Sequence, residues 1–165
     1  MLRSKPRAGS LGGLRNRAAR LAYRAAWRGL RWQSRIFQPV TLGVRVLLIR
    51  DGDVLLVRHT YRPGWFLPGG GVKRRERLAN AARREAMEEA GASLGALTLV
   101  GVYENESDHV ALFAATEFAV TGEHDEEIAS VEWFAIDALP LDVSPGTRAR
   151  IAEYQSGTGP FTRDW

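Results

Sequence analysis

The chain has 165 residues, 45% hydrophobic and 25% charged, which is enough for one compact core and ordinary for a globular protein. It contains no cysteine, which excludes disulfides, a thiolate zinc site and a cysteine nucleophile. The formal charge of +4 hides an asymmetry: residues 1–37 hold ten Lys or Arg and no acid, and the remainder holds 13 basic and 19 acidic side chains, so a cationic arm precedes a mildly acidic domain.

In chain order, residues 1–13 are rich in Gly, Ser and cations and are expected to be disordered. Residues 14–37 have helical spacing. Arg17, Arg20, Arg24, Arg28, Arg31 and Arg35 recur every three or four positions and would share a stripe roughly 80° wide on one helix. Leu14, Ala18, Leu21, Ala25, Trp32 and Ile36 lie to one side of that ridge. Such a helix suits docking on an acidic domain or partner subunit, attachment to an anionic membrane surface, or contact with nucleic acid phosphates. Its composition also matches a mitochondrial presequence, although a direct run into the first strand argues against one. The expectation taken forward is reversible attachment to acidic lipid, with nucleic acid not expected as a partner.

Gln38-Pro39 breaks the helix. This divides the chain into an arm (1–38), a domain (39–157) and a short C-terminal tail (158–165). Val40–Arg50 and Val54–His59 read as strands joined by an Asp51-Gly52-Asp53 hairpin turn. Trp65–Leu67 reads as a short strand ending in Pro68-Gly69-Gly70-Gly71. Two more strands are expected over Leu97–Tyr103 and His109–Val120, another over Val131–Ala135, and a helix over Ser144–Tyr154. Gly122–Glu127 is an acidic loop. His59, His109 and His124 show no paired-ligand spacing. No apolar run reaches the roughly 18 residues of a membrane span and no signal-peptide core is visible, so a cytoplasmic location is expected, with peripheral membrane contact through the arm.

The most informative segment is Gly70–Ala92. Its second half is helical: Ala79, Ala82, Ala86 and Ala90 form an apolar stripe, and Gly91 supplies a C-terminal stop. Glu85, Glu88 and Glu89 fall on one face of that helix. Their like charges repel, and two of them oppose the helix dipole. A solvated acidic face is one reading of such a triplet. Binding of a hard divalent cation through oxygen ligands is the other, and it removes the conflict.

The full pattern is Gly70, five residues, Glu76, seven residues, then Arg84-Glu85-Ala86-Met87-Glu88-Glu89-Ala90-Gly91-Ala92. It is complete at every fixed position of the Nudix box, with Ala86 and Ala92 where that pattern has bulky aliphatic residues. From about Val40 to Ile151 the chain resembles the Nudix hydrolase family. The resemblance implies an α/β/α sandwich with a mixed sheet, here preceded by the basic helix. It also implies hydrolysis of a pyrophosphate bond in a nucleoside diphosphate linked to another moiety, by water attack on phosphorus with Mg²⁺ or Mn²⁺ as cofactor.

By that resemblance Glu85, Glu88, Glu89 and the Gly70 carbonyl are the expected metal ligands, Glu85 or Glu88 the base, and Arg84 the group that orients the acids. Glu76 is expected to brace the loop. Lys73, Arg75 and Trp65 are candidate substrate contacts, with a solvated turn as the alternative for the two cations and a core position for the aromatic. Glu126 and Glu127 are candidates for an additional acid from a facing loop. The alternative functions are a Nudix-like module that binds nucleotides without turnover and a membrane-surface-associated protein that uses the basic arm; modules of the first kind usually lose box acids, and all four glutamates are present here.

Overall fold

The computed structural model describes residues 41–105 and 108–165. The expected basic helix of the arm lies outside the described residues. Val40–Trp165 forms one compact unit.

Strands β1 (Thr41–Arg50) and β2 (Asp53–His59) form the expected hairpin, followed by helix α1 (Leu78–Ala90). Then come β3 (Ala92–Leu94), β4 (Thr98–Asn105), β5 (Asp108–Ala115), β6 (Phe118–Val120) and β7 (Ile128–Ala135). Helix α2 (Pro145–Ser156) and β8 (Phe161–Asp164) complete the unit. The main sheet has six strands in the order β7-β2-β1-β5-β4-β8, and β3 and β6 pair separately. The β1–β5 and β4–β8 pairs are parallel and the others antiparallel, so the sheet is mixed.

Period-2 alternation along β1, β2 and β5 assigns side chains to two opposite faces. Val44, Val46, Leu48, Leu55 and Val57 pack with Ala81, Ala82, Ala86 and Ala90 of α1. Leu47, Val54, Leu56 and Leu112 pack on the other face with Ile151 of α2. Helices cover both faces, which is the expected α/β/α sandwich.

Local chemistry sets the helix limits. Gly91 closes α1 in the left-handed conformation (φ 59°), its N–H reaching the carbonyls of Ala86 and Met87, a backbone geometry glycine adopts without strain. At the start of α2, the Ser144 hydroxyl accepts a hydrogen bond from the Thr147 N–H and Pro145 opens the first turn, so one otherwise unpaired donor is satisfied and φ is pre-set.

Three expectations change. The run His109–Val120 is not one strand: β5 ends at Ala115, and Phe118–Val120 leaves the main sheet to pair with Ala92–Leu94. The polar Thr116-Glu117 pair marks the break, where the Glu117 carbonyl takes the Gly95 N–H. Trp65–Leu67 forms no ladder and is fixed by single bridges, Val57 to Phe66 and Trp65 to Val143. Part of the expected tail, Phe161–Asp164, is an edge strand parallel to β4.

Candidate active site

The glycine-rich loop is sewn along β1. Val46 N donates to Pro68 O, Val44 N to Gly70 O and Val72 N to Leu42 O, each at 2.9 Å. The contact needs bare backbone. At Gly69, where φ is +144°, a Cβ would lie 2.2 Å from the Val44 carbonyl oxygen, and at Gly70 it would lie 2.5 Å from Glu85 Oε2. At Gly69 the loop therefore fits against β1 only without a side chain, whereas at Gly70 a side chain would displace the Glu85 carboxylate.

Beneath it, α1 presents its acids. Glu89 is 4% exposed and Glu85 8% exposed. Glu89 Oε2 accepts the Gly69 N–H at 2.8 Å. Burial nevertheless pushes the Glu89 carboxyl up to about 7, against that hydrogen bond and the charge of Arg45. Burial also raises the Glu85 carboxyl, opposed by Arg84. Desolvation disfavours the charged form, so both acids sit where a fold selected for stability alone would place neutral groups.

Arg84 is the organiser. Its Nε and Nη2 hold Glu76 at 2.9 Å, Nη1 reaches Glu85 Oε1 at 2.6 Å and Glu88 Oε2 at 2.9 Å, and Nη2 also reaches the Gly71 carbonyl at 3.0 Å. Glu76 additionally accepts the Lys73 N–H. With Arg84 as the main cause, its carboxyl falls to about 2. Glu76 therefore braces the loop, as its position in the sequence suggests. No three acidic or histidine side chains among the described residues converge on one point, and Glu85 and Glu88 lean toward Arg84.

Other sequence candidates separate clearly. Lys73 is exposed, with its ammonium 4.0 Å from Glu88 Oε1. Arg75 is exposed and left-handed (φ 65°) at the loop tip. Trp65 is corrected to a core residue: it is 4% exposed, its ring meets Phe134 at 4.8 Å, and Arg58 covers it at 4.5 Å, leaving no face for a substrate. Glu126 is exposed, whereas Glu127 is half-buried and close enough for its charge to raise the Glu89 carboxyl further. Of the two facing-loop acids, Glu127 adjoins the carboxylates.

Three further residues belong to this region and were not singled out from the sequence. His59 is 5% exposed and its Nδ1 lies 4.0 Å from Glu89 Oε1. Burial, then Arg62 and Arg45, lower its pKa to about 4, so the ring is neutral near pH 7 and the contact is not an ion pair. Arg45 and Arg62 both sense the charge of Glu89. An arginine inside the apolar run Val44–Leu48 is the signal that could have found the first, because a buried cation is costly without a purpose.

The donor set is chemically uniform. Glu85, Glu88, Glu89 and the Gly70 carbonyl offer only hard oxygen atoms, suited to Mg²⁺ or Mn²⁺, and the close approach of Gly70 to Glu85 is a cradle that a Cβ would fill.

Comparison with known proteins agrees with this arrangement. The NUDIX domain family matches residues 39–154. A Bacillus subtilis (strain 168) protein named for 8-oxo-dGTP diphosphatase activity is 28% identical over 121 residues, 71% of this chain and 81% of that protein. Human diphosphoinositol polyphosphate phosphohydrolase 3-alpha is 32% identical over 117 residues, 64% of this chain and 71% of its own length. The crystal structure of a MutT NUDIX hydrolase from Burkholderia pseudomallei aligns with a TM-score of 0.64 at 28% identity, covering 70% of this chain and 98% of that one. A complete box on a strand-braced glycine loop, within a sandwich shared with these relatives, places the chain in the Nudix family as a Nudix-type pyrophosphohydrolase.

Proposed function

We propose that the protein hydrolyses the pyrophosphate bond of a nucleoside diphosphate linked to another moiety, by divalent-cation-dependent attack of water on phosphorus. The observation that carries this reading is the pair of buried carboxylates, Glu85 and Glu89, set against the glycine loop, where Glu89 accepts the Gly69 N–H and Gly70 approaches Glu85 closely. Glu85, Glu88, Glu89 and the Gly70 carbonyl would hold Mg²⁺ or Mn²⁺, which supplies charge neutralisation on the phosphates and an acidified water. The protein's own groups do the rest. Arg84 positions Glu85 and Glu88, either of which serves as base. Glu127 stands nearest as a supplementary acid, and Lys73 and Arg75 attract the polyphosphate to the loop. The relatives named for 8-oxo-dGTP and for diphosphoinositol polyphosphates support a phosphate-rich substrate.

The test is phosphate release from a nucleotide panel with Mg²⁺ or Mn²⁺, using wild type and the Glu85→Gln, Glu89→Gln double variant. Turnover that survives EDTA or the double substitution refutes the reading. Tight nucleotide binding without turnover by wild type moves the protein to the nucleotide-binding alternative.

Attachment of residues 14–37 to anionic lipid is a separate proposal, carried by the arginine spacing alone. No helix among the described residues is long and apolar enough to cross a membrane. Co-sedimentation with anionic vesicles at low salt, comparing the full chain with one starting near Gln38, checks it. Equal binding of both would remove the arm as anchor.

A further inference from the structure

A cavity of about 210 Å³ opens on the α2 side of the sheet, lined by Arg45, Arg62, Phe66, Ser144, Thr147 and Trp165 among others. Its chemistry is the reverse of that around Glu85 and Glu89: two guanidinium groups share it, and no Asp or Glu side chain is among its lining residues. Neither arginine forms an ion pair with an acid among the described residues. Arg45 gives one hydrogen bond, to the carbonyl of Val44. The Arg62 guanidinium carbon lies over the Phe66 ring, 3.5 Å from its centroid, and its buried Nε has no hydrogen-bond partner among the described residues. Burial lowers the pKa of both, and the charge of Arg45 lowers that of Arg62 further.

The charge of Arg45 acts against the charged form of Arg62, with the charge of Glu89 partly opposing it, and an unpaired buried donor is costly. A bound anion relieves both. The first turn of α2, capped by Ser144, adds the positive end of a helix dipole to the same wall.

We propose that this cavity binds a phosphate group, with Arg45 and Arg62 as its ligands and specificity determinants. The inference rests on the hydrolytic reading above and deepens it, because it names a phosphate in addition to the pyrophosphate that is cleaved. Size supports a group rather than a whole ligand: the volume lies below the roughly 300–1,000 Å³ of pockets that enclose complete small molecules. Location supports a link to the reacting centre, since both arginines are within electrostatic range of Glu89. A substrate with its pyrophosphate at the Gly69–Glu89 loop would extend a further phosphate into the cavity. Free phosphate released by the reaction has the same chemistry, so the source must be separated by experiment.

The first arm titrates inorganic phosphate into the full chain in EDTA, following the indole N–H signal of Trp165, identified with Trp165→Phe. Wild type and Glu89→Gln are expected to bind, and Arg62→Gln to bind about tenfold or more weakly, the scale of losing a charge-assisted pair. Arg62→Lys should recover part of the loss if charge is what matters, and matching melting curves verify folding. The second arm measures KM and kcat with Mg²⁺ for a nucleoside 5′-tetraphosphate and for a nucleoside diphosphate linked to an uncharged sugar. A substrate-borne phosphate predicts that Arg62→Gln raises KM about tenfold for the tetraphosphate only, with kcat within about threefold. Unchanged KM with lost inhibition by phosphate assigns the cavity to the free ion. Phosphate binding equal in wild type and Arg62→Gln overturns the proposal. Because the first arm needs neither cation nor turnover, failure of the hydrolytic reading would be seen separately, in the second.

Discussion

Glu89→Gln should make the cation-free protein more stable while stopping its chemistry. The Glu89 carboxyl is 4% exposed and its pKa is raised from 4.5 to about 7, chiefly by burial. A group whose pKa is raised on folding gives stability that is complete below its unfolded value and lost as pH rises through the folded one. The window is therefore pH 4.5 to about 7. At about 1.4 kcal/mol per pH unit, the loss above that window comes to roughly 3 kcal/mol. Glutamine keeps the shape and an oxygen for the Gly69 N–H, but carries no charge. Urea unfolding in EDTA should show the variant more stable by about 1–3 kcal/mol at pH 8 and by under about 1 kcal/mol at pH 5. Turnover with Mg²⁺ should fall by roughly 10²-fold or more. A variant that is less stable than wild type at pH 8, or equally displaced at both pH values, would refute the claim that this acid is buried against its own preference.

Arg84→Ala strips Glu76, Glu85 and Glu88 of their shared partner; kcat should fall about 10²-fold with a stability loss of about 1–3 kcal/mol, read from kinetics and melting curves. Gly70→Ala sets a methyl against the Glu85 carboxylate; activity should drop at least about tenfold in a protein that still folds, checked by kinetics beside circular dichroism. Trp165→Ala removes the edge contact with Tyr103 at 5.6 Å and the neighbour of Arg150, for an expected cost of about 2 kcal/mol in urea unfolding.

The helix and the glycine-rich loop were legible because each rests on a short-range signal, and the sandwich came from the resemblance. Alanines three or four apart, Gly91 as a stop and the Pro68-Gly69-Gly70-Gly71 run depend only on neighbours along the chain. Features set by distant pairing were not. Phe161-Thr162-Arg163-Asp164 carries two charges in four residues and reads as a tail, yet β4 offers it a free edge. The apolar run through Phe118 continues the pattern of β5, and only the competing pairing with Ala92–Leu94 draws it away. Trp65 is an aromatic that could stack on a base, and its burial is decided by Arg58 and by Phe134, which lies far away in sequence. The acids of the site were visible as a spacing. The arginine-lined cavity was not, because Arg45, Arg62 and α2 meet only in three dimensions.

The alanine stripe of α1 has a consequence for the acids beside it. Ala81, Ala82, Ala86 and Ala90 are fully buried against the sheet, and side chains that small let the helix lie low on it. The depth of the helix sets how much water reaches Glu85 and Glu89, and water sets how readily they ionise. Packing volume thereby acts as a dial on acidity. A leucine at Ala86, the kind of bulky residue that the Nudix pattern carries there, would wedge the helix outward, rehydrate both carboxyls and let them ionise at lower pH. Two enzymes with identical ligands could then differ in the acidity at which they work, solely through the thickness of the hydrocarbon beneath one helix.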